Sequence, residues 1–161
     1  MDRYHIYVNL ACPWANGVLS IIELKGLQKV FTVSNTRPEW GTVNDKGRQG
    51  WVFDKTANTP RWEAIDHVYD VKSIYDVYRK VVPNFEDKAT VPILFDKKTK
   101  TIVNNESIEI MKMINSEFEM FAEKKGLNFY PDHLQREIED NYDWIYNNIN
   151  NGVYKSGFAT T

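Results

Sequence analysis

The spacing of apolar positions changes several times along the chain, and each change marks an element. Tyr4, Ile6, Tyr7 and Val8 form an apolar, β-branched and aromatic run that breaks at Asn9, which predicts a strand. Cys12 and Pro13 then open a helical pattern whose apolar face carries Val18, Leu19, Ile22 and Leu24, and Gly26 offers its C-terminal stop. A second short strand is expected over 30–34. A β-α-β unit with a helix of this length implies parallel strands and a right-handed crossover. From Asn35 to Asn58 the periodicity fails: Pro38, Gly41, Gly47 and Gly50 punctuate polar residues, with Trp40, Trp51 and Phe53 among them. A long functional or flexible loop is expected there.

Val68, Val71, Ile74, Tyr75 and Tyr78 recur at helical spacing and predict a helix between His67 and Val82, stopping before Pro83. Residues 91–95 and 101–103 read as two short strands joined by the polar turn DKKTK, an antiparallel hairpin. Pro92 lacks a ladder donor near the start of its strand, and a cis Val91-Pro92 bond is expected. Asn104, Asn105, Glu106 and Ser107 then precede an amphipathic helix bearing Ile108, Met111, Ile114 or Asn115, Phe118 and Phe121. The polar connection over 124–132, with Gly126 and Pro131, divides the chain into domains at 1–124 and 125–161. Leu134, Ile138, Tyr142, Ile145 and Ile149 mark one face of a final long helix, after which no closing structure is expected. The order β-α-β, loop, α, β-β, α is that of an α/β thioredoxin-like fold. The final helix lies outside that unit and needs a surface to pack on.

With 161 residues the chain can bury one sizeable core, or one domain and part of another. Its net charge of −2 comes from interspersed acids and bases, which argues against nucleic acid or an anionic membrane as partner. A single cysteine rules out an internal disulfide and fits a reducing compartment. No apolar run approaches a membrane span and no leader pattern precedes the first strand, so a cytoplasmic protein is expected. His5, His67 and His133 show no ligand spacing, and no metal is expected.

Cys12 carries the candidate chemistry. A strand delivers it to a helix N-cap, where free amides and the positive end of the dipole favour thiolate and lower its pKa. A lone cysteine is otherwise often a small buried hydrophobe. Ala15 occupies the position of a resolving cysteine in a dithiol motif, so a redox cycle would borrow its second thiol from a small molecule.

In DRYHIYVNLACPWA at 2–15, GW at 50–51, TVPILFDKKTKTIVNNES at 90–107 and NNGVYKSGFATT at 150–161, the chain resembles the glutathione transferase superfamily, specifically the xi class of glutathionyl-hydroquinone reductases. The resemblance spans nearly the whole chain. It implies a mixed four-stranded sheet with flanking helices, followed by the first helix of a truncated all-α domain. It also implies that Cys12 attacks the sulfur of a glutathionyl-hydroquinone, and that a second glutathione resolves the mixed disulfide. Val91, before Pro92, would pair with the cysteinyl backbone of glutathione, and Glu106 and Ser107 would hold its γ-glutamyl end. On pattern alone Glu106 and Ser107 are helix-start residues. Trp51 would pack over glutathione and Tyr154 would line a quinol pocket, donating to a phenolic oxygen. Glutathione is the implied co-substrate and quinol-type small molecules the partners, with a homodimer left open.

The chain also departs from that family. Members carry an N-terminal extension and a helical domain that continues past FATT, and a more basic stretch follows CPWA where this chain has Asn16 and Gly17. The chain is therefore read as a fragment or truncated gene product in which glutathione contacts outlast efficient turnover. Two other readings remain: an omega-like reductase of dehydroascorbate or mixed disulfides, and a non-catalytic glutathione-binding module.

Overall fold

Tyr4–Val8 (β1) runs through the middle of a four-stranded sheet, and its near-continuous apolar run reflects burial on both faces. A computed structural model describes residues 2–59 and 61–160. Thr161, at the end of the NNGVYKSGFATT block, lies outside them. β1 pairs in parallel with Phe31–Asn35 (β2) and antiparallel with Ile93–Asp96 (β5), and Thr101–Asn104 (β6) closes the other edge in the order β2-β1-β5-β6. Pro13–Lys25 (α1) and Ser107–Glu117 (α3) pack on each other, while Ile74–Val81 (α2) contacts β6. This is the mixed sheet with flanking helices expected of the thioredoxin-like fold. Two compact units result, Met1–Leu127 and Asn128–Thr161.

α1 starts where expected, with Cys12 as N-cap and Pro13 as first residue. Leu24 departs from the expected apolar face and is 48% exposed, while Lys25 is fully buried. Gly26 ends the helix at φ +70°, and a Cβ there would come within 2.8 Å of the Glu123 Cβ. This close approach places Lys25 Nζ 2.6 Å from Glu119 Oε2 and 2.6 Å from the Leu127 carbonyl, with the Lys25 carbonyl accepting from the Lys124 amide. A buried ammonium needs such partners.

The stretch read as a loop contains an antiparallel hairpin of Trp40–Thr42 (β3) and Gln49–Trp51 (β4). Its three-residue strands are too short to show alternation. Asn44 Oδ1 accepts from the amides of Lys46 and Arg48 to close the turn, and the facing Trp40 and Trp51 rings meet edge to face at 5.6 Å. The second helix also differs from expectation, beginning at Ile74 rather than near His67. The Asp66 carboxylate accepts from the amides of Val68, Tyr69 and Val71 and from the Tyr7 hydroxyl at 3.0 Å. These bonds hold 66–71 as a turn despite its helical periodicity. Ser73 then caps α2 through the Asp76 amide.

α3 ends at Glu117, short of the expected Phe121. Phe118 turns inward against Tyr4 and Phe31, leaving Phe121 in a short 3-10 turn. In the second unit the final helix comprises Gln135–Ile145 (α4), a π-helical turn over Tyr146–Asn150 and Asn151–Gly157 (α5). The segment expected to lack structure is therefore helical, its backbone bonds continuing through the amide of Asn151 to Tyr146.

Two predictions follow from these buried polar groups. Lys25→Ala removes the buried ammonium's bonds to Glu119 and the Leu127 carbonyl, so it is expected to cost about 1–3 kcal/mol in urea unfolding; an unchanged midpoint would count against the clasp. His5 is fully buried in β1, its Nδ1 2.7 Å from Thr32 Oγ1, and burial, aided by the Lys97 charge, pushes its pKa down to about 3. The unfolded chain takes up this proton near pH 6.5 and the folded chain does not, so stability is full above that pH and falls below it. Between pH 6.5 and 5 the expected loss is about 1.5 kcal/mol. Urea midpoints across that window, flattened in His5→Gln, test it.

Candidate functional site

The turn joining β1 to α1 is set by one side chain. Asn9 Oδ1 accepts from the Ala11 amide at 2.7 Å, while its Nδ2 donates to Thr36 Oγ1 and the Arg37 carbonyl. The Asn9 carbonyl in turn accepts the Cys12 amide at 3.0 Å. Cys12 thereby reaches the N-cap of α1 in extended conformation, followed by a proline that fixes the helical φ. Its Sγ donates to the Val91 carbonyl at 3.6 Å. Val91 precedes Pro92 across a cis peptide bond, as expected, and both residues are buried.

Cys12 is only 6% exposed. Burial pushes its thiol pKa up, while the amides of Ala15 and Trp14 at the start of α1 pull it down, and burial wins. The thiolate-favouring N-terminus is thus present, but the net lowering expected from the sequence is not. Low local polarity outweighs two amide dipoles, and the Val91 carbonyl faces the sulfur as a further acceptor.

Glu106 is the N-cap residue of α3, exposed, with its amide donating to Asn104 Oδ1 at 2.7 Å. Ser107 follows as the buried first helical residue. This start is tied to the segment before Val91. Asn105 Nδ2 donates to Thr90 Oγ1 at 3.0 Å, and the hydroxyl of Tyr78 on α2 donates to the Thr90 carbonyl at 3.2 Å. Sequence reasoning missed Tyr78, Thr90 and Asn105. The available signal was a tyrosine on the buried stripe of a helix, whose hydroxyl must find a partner.

The Cys12 sulfur therefore meets Val91, the neighbour of Pro92, and Glu106 and Ser107 are tied to that segment through Asn105 and Thr90. Trp51 ends β4, half-buried against Trp40, and its hairpin is anchored where the Phe53 amide donates to the Lys72 carbonyl. Tyr154 belongs to the second unit, on α5, with its ring stacked on Phe158. Among the described residues, no group of three or more His, Cys, Asp or Glu could hold a metal ion, and no helix is long and apolar enough to cross a membrane.

A cysteine at a helix N-terminus, beside the residue before a cis-proline on a mixed sheet, defines a thioredoxin-like thiol site. The family model for the glutathione S-transferase N-terminal domain matches residues 11–117, and the chain belongs to the glutathione S-transferase family. It is 42% identical over 160 residues to the glutathionyl-hydroquinone reductase YqjG of Escherichia coli, covering 99% of this chain and 46% of that protein. It is 41% identical over 163 residues to glutathione S-transferase omega-like 2 of Schizosaccharomyces pombe, covering 99% and 49%. Among solved structures, the xi glutathione S-transferase of Phanerochaete chrysosporium superposes with a TM-score of 0.88 at 42% identity, over 99% of this chain and 52% of that one. Glutathione-bound YqjG gives 0.85 at 41%, over 99% and 48%. The resemblance to the xi class is borne out. The chain spans about half the length of these relatives.

Because burial dominates the Cys12 site, its alkylation by iodoacetamide is expected to reach half-maximal rate at higher pH in the native chain than in urea. A native profile shifted to lower pH would mean that the helix amides prevail.

Proposed function

We propose that the chain is the thiol-bearing half of a glutathione-dependent reductase that removes glutathione from glutathionyl-hydroquinones. The observation that carries this reading is the position of Cys12 Sγ, at the mouth of α1 and 3.6 Å from the Val91 carbonyl. No hydrogen bond among the described residues uses the Val91 amide, which leaves donor and acceptor of one residue to meet a strand-like peptide. Glutathione bound there by its cysteinyl backbone brings its sulfur to Cys12. Its γ-glutamyl carboxylate suits the open N-terminus of α3, and the Glu106 carboxylate suits its ammonium, with Ser107 beside them. Trp51 covers the bound peptide in this reading.

In the reaction, the Cys12 thiolate attacks the sulfur of the adduct. The aryl carbon-sulfur bond breaks, its electron pair passes to the ring carbon, and that carbon takes a proton. A Cys12-glutathione disulfide forms. The thiolate of a second glutathione then attacks it, releasing glutathione disulfide and returning Cys12. Two thiols supply the two electrons that reduce the adduct. Ala15, in place of a resolving cysteine, supports this use of a second glutathione. The omega-like name of the S. pombe relative favours a second reading, reduction of dehydroascorbate or mixed disulfides by the same thiol.

Incubation with glutathione disulfide is expected to add one glutathionyl mass to the wild type and none to Cys12→Ser. In a chain extended to the relatives' length, Cys12→Ser is expected to lower turnover of a glutathionyl-hydroquinone by about 10³-fold or more. A wild type that takes up no glutathionyl mass would sink the proposal, and faster turnover of dehydroascorbate would select the second reading.

A further inference from the structure

The segment before the cis-proline is held by side chains from two other elements, and both bonds converge on one residue. Thr90 gives its carbonyl to the buried Tyr78 hydroxyl at 3.2 Å, and its own hydroxyl oxygen accepts from Asn105 Nδ2 at 3.0 Å while lying 3.4 Å from that same Tyr78 hydroxyl. Thr90 is exposed, so water is available to both of its polar groups, yet the protein supplies the partners instead. Its two sequence neighbourhoods are the ones that matter for a ligand. Val91 follows Thr90, and Glu106 follows Asn105.

We infer that Thr90 is a positioning residue that selects γ-linked over α-linked glutamyl peptides, by fixing the spacing between the Val91 backbone and the start of α3. This rests on the glutathione reading given above. γ-Glutamyl-cysteinyl-glycine and α-glutamyl-cysteinyl-glycine are isomers with the same charges and the same thiol. Charge attraction at the α3 N-terminus therefore recognises both. They differ in where the ammonium stands: the γ-linkage puts it beside the free carboxylate, two carbons further from the linking amide than in the α-isomer, while the carboxylate lies equally many bonds from that amide in both. Once that backbone is paired with Val91 and the carboxylate sits at the start of α3, a fixed distance from Val91 to Glu106 decides which isomer brings its ammonium to the Glu106 carboxylate. The pairing of Leu94 with Asn104 in β5 and β6 brings the two segments side by side, the Thr90 hydroxyl bond to Asn105 ties their ends together, and Tyr78 holds the other side. Losing one such bond is expected to change selectivity by about tenfold.

The experiment measures the rate at which Cys12 becomes peptidylated by the symmetrical disulfide of each isomer, read by intact mass. In each case the Cys12 thiolate displaces one peptide thiolate from the disulfide, so no further reductant is involved. The wild type is expected to favour the γ-isomer. Thr90→Val, which keeps the β-branched shape and removes the hydroxyl, is expected to reduce that preference about tenfold by slowing the γ-isomer. Thr90→Ser is expected to retain it within about twofold. Asn105→Ala reports the same bond from its other end and is expected to reduce the preference to a similar degree, with no further loss in the double variant with Thr90→Val. General loosening would slow both isomers together and leave their ratio unchanged. A wild type that discriminates, with Thr90→Val and Asn105→Ala discriminating equally well, would overturn this inference alone. Equal wild-type rates for the two isomers would overturn it while leaving the thiol chemistry intact. A wild type that reacts with neither would remove the glutathione reading and this inference together.

Discussion

The contact between the Cys12 sulfur and the Val91 carbonyl is the constraint on which the rest of the site depends, because it joins two stretches 79 residues apart in sequence. Strand register brings them together. Tyr7 lies opposite Ile93 in the antiparallel pairing of β1 with β5, so the chain leaving β1 and the chain entering β5 emerge at the same end of the sheet. Moving this pairing by one residue would turn every β5 side chain to the other face. The burial of Ile93, Leu94 and Phe95 beside the fully buried Ile6 to Val8 opposes such a slip. The apolar core thus fixes the point at which the Cys12 sulfur and the Val91 carbonyl meet.

Around that core, a few buried polar side chains determine the path of the irregular chain. Asn9 shapes the turn into α1, Asp66 holds 66–71 out of helix, and Lys25 clasps the segment that ends the first unit. Burial and the Asp66 carboxylate push the Tyr7 phenol up, so it remains a donor to that carboxylate across the working pH range. Each anchor uses bonds that would otherwise go to water, and each leaves unpaired groups behind if removed. The two opposing influences on Cys12 arise from the same architecture. The helix start supplies amides to a sulfur that the sheet and the cis-proline segment cover.

Membership in the glutathione S-transferase family and the coverage of about half of each relative bear on how the two units are read. The first unit contains Cys12, Val91, Pro92, Glu106 and Ser107, the residues on which the proposed thiol chemistry and peptide recognition rest. Tyr154 belongs to the second unit, as does an exposed row that includes Trp144, Ile149, Val153 and Phe158.

The sequence by itself determined the thioredoxin-like order of elements, the Cys12-Pro13 helix start and the cis Val91-Pro92 bond. Each is written in local chemistry: apolar spacing, a proline that fits the first helical position, and a proline where a strand needs a donor. Tertiary structure alone decided the rest. Trp40 and Trp51 pair across strands too short to carry a period, and Asp66 overrides the helical spacing of Val68 and Val71 by taking three amides. Tyr78, Thr90 and Asn105 form one network only because α2, the segment before Pro92 and the start of α3 converge in space. The ionisation of Cys12 belongs to this second group. A helix N-terminus can be read from a cysteine and a proline, but how deeply the sulfur is buried depends on residues far along the chain, and desolvation is the stronger of the two effects.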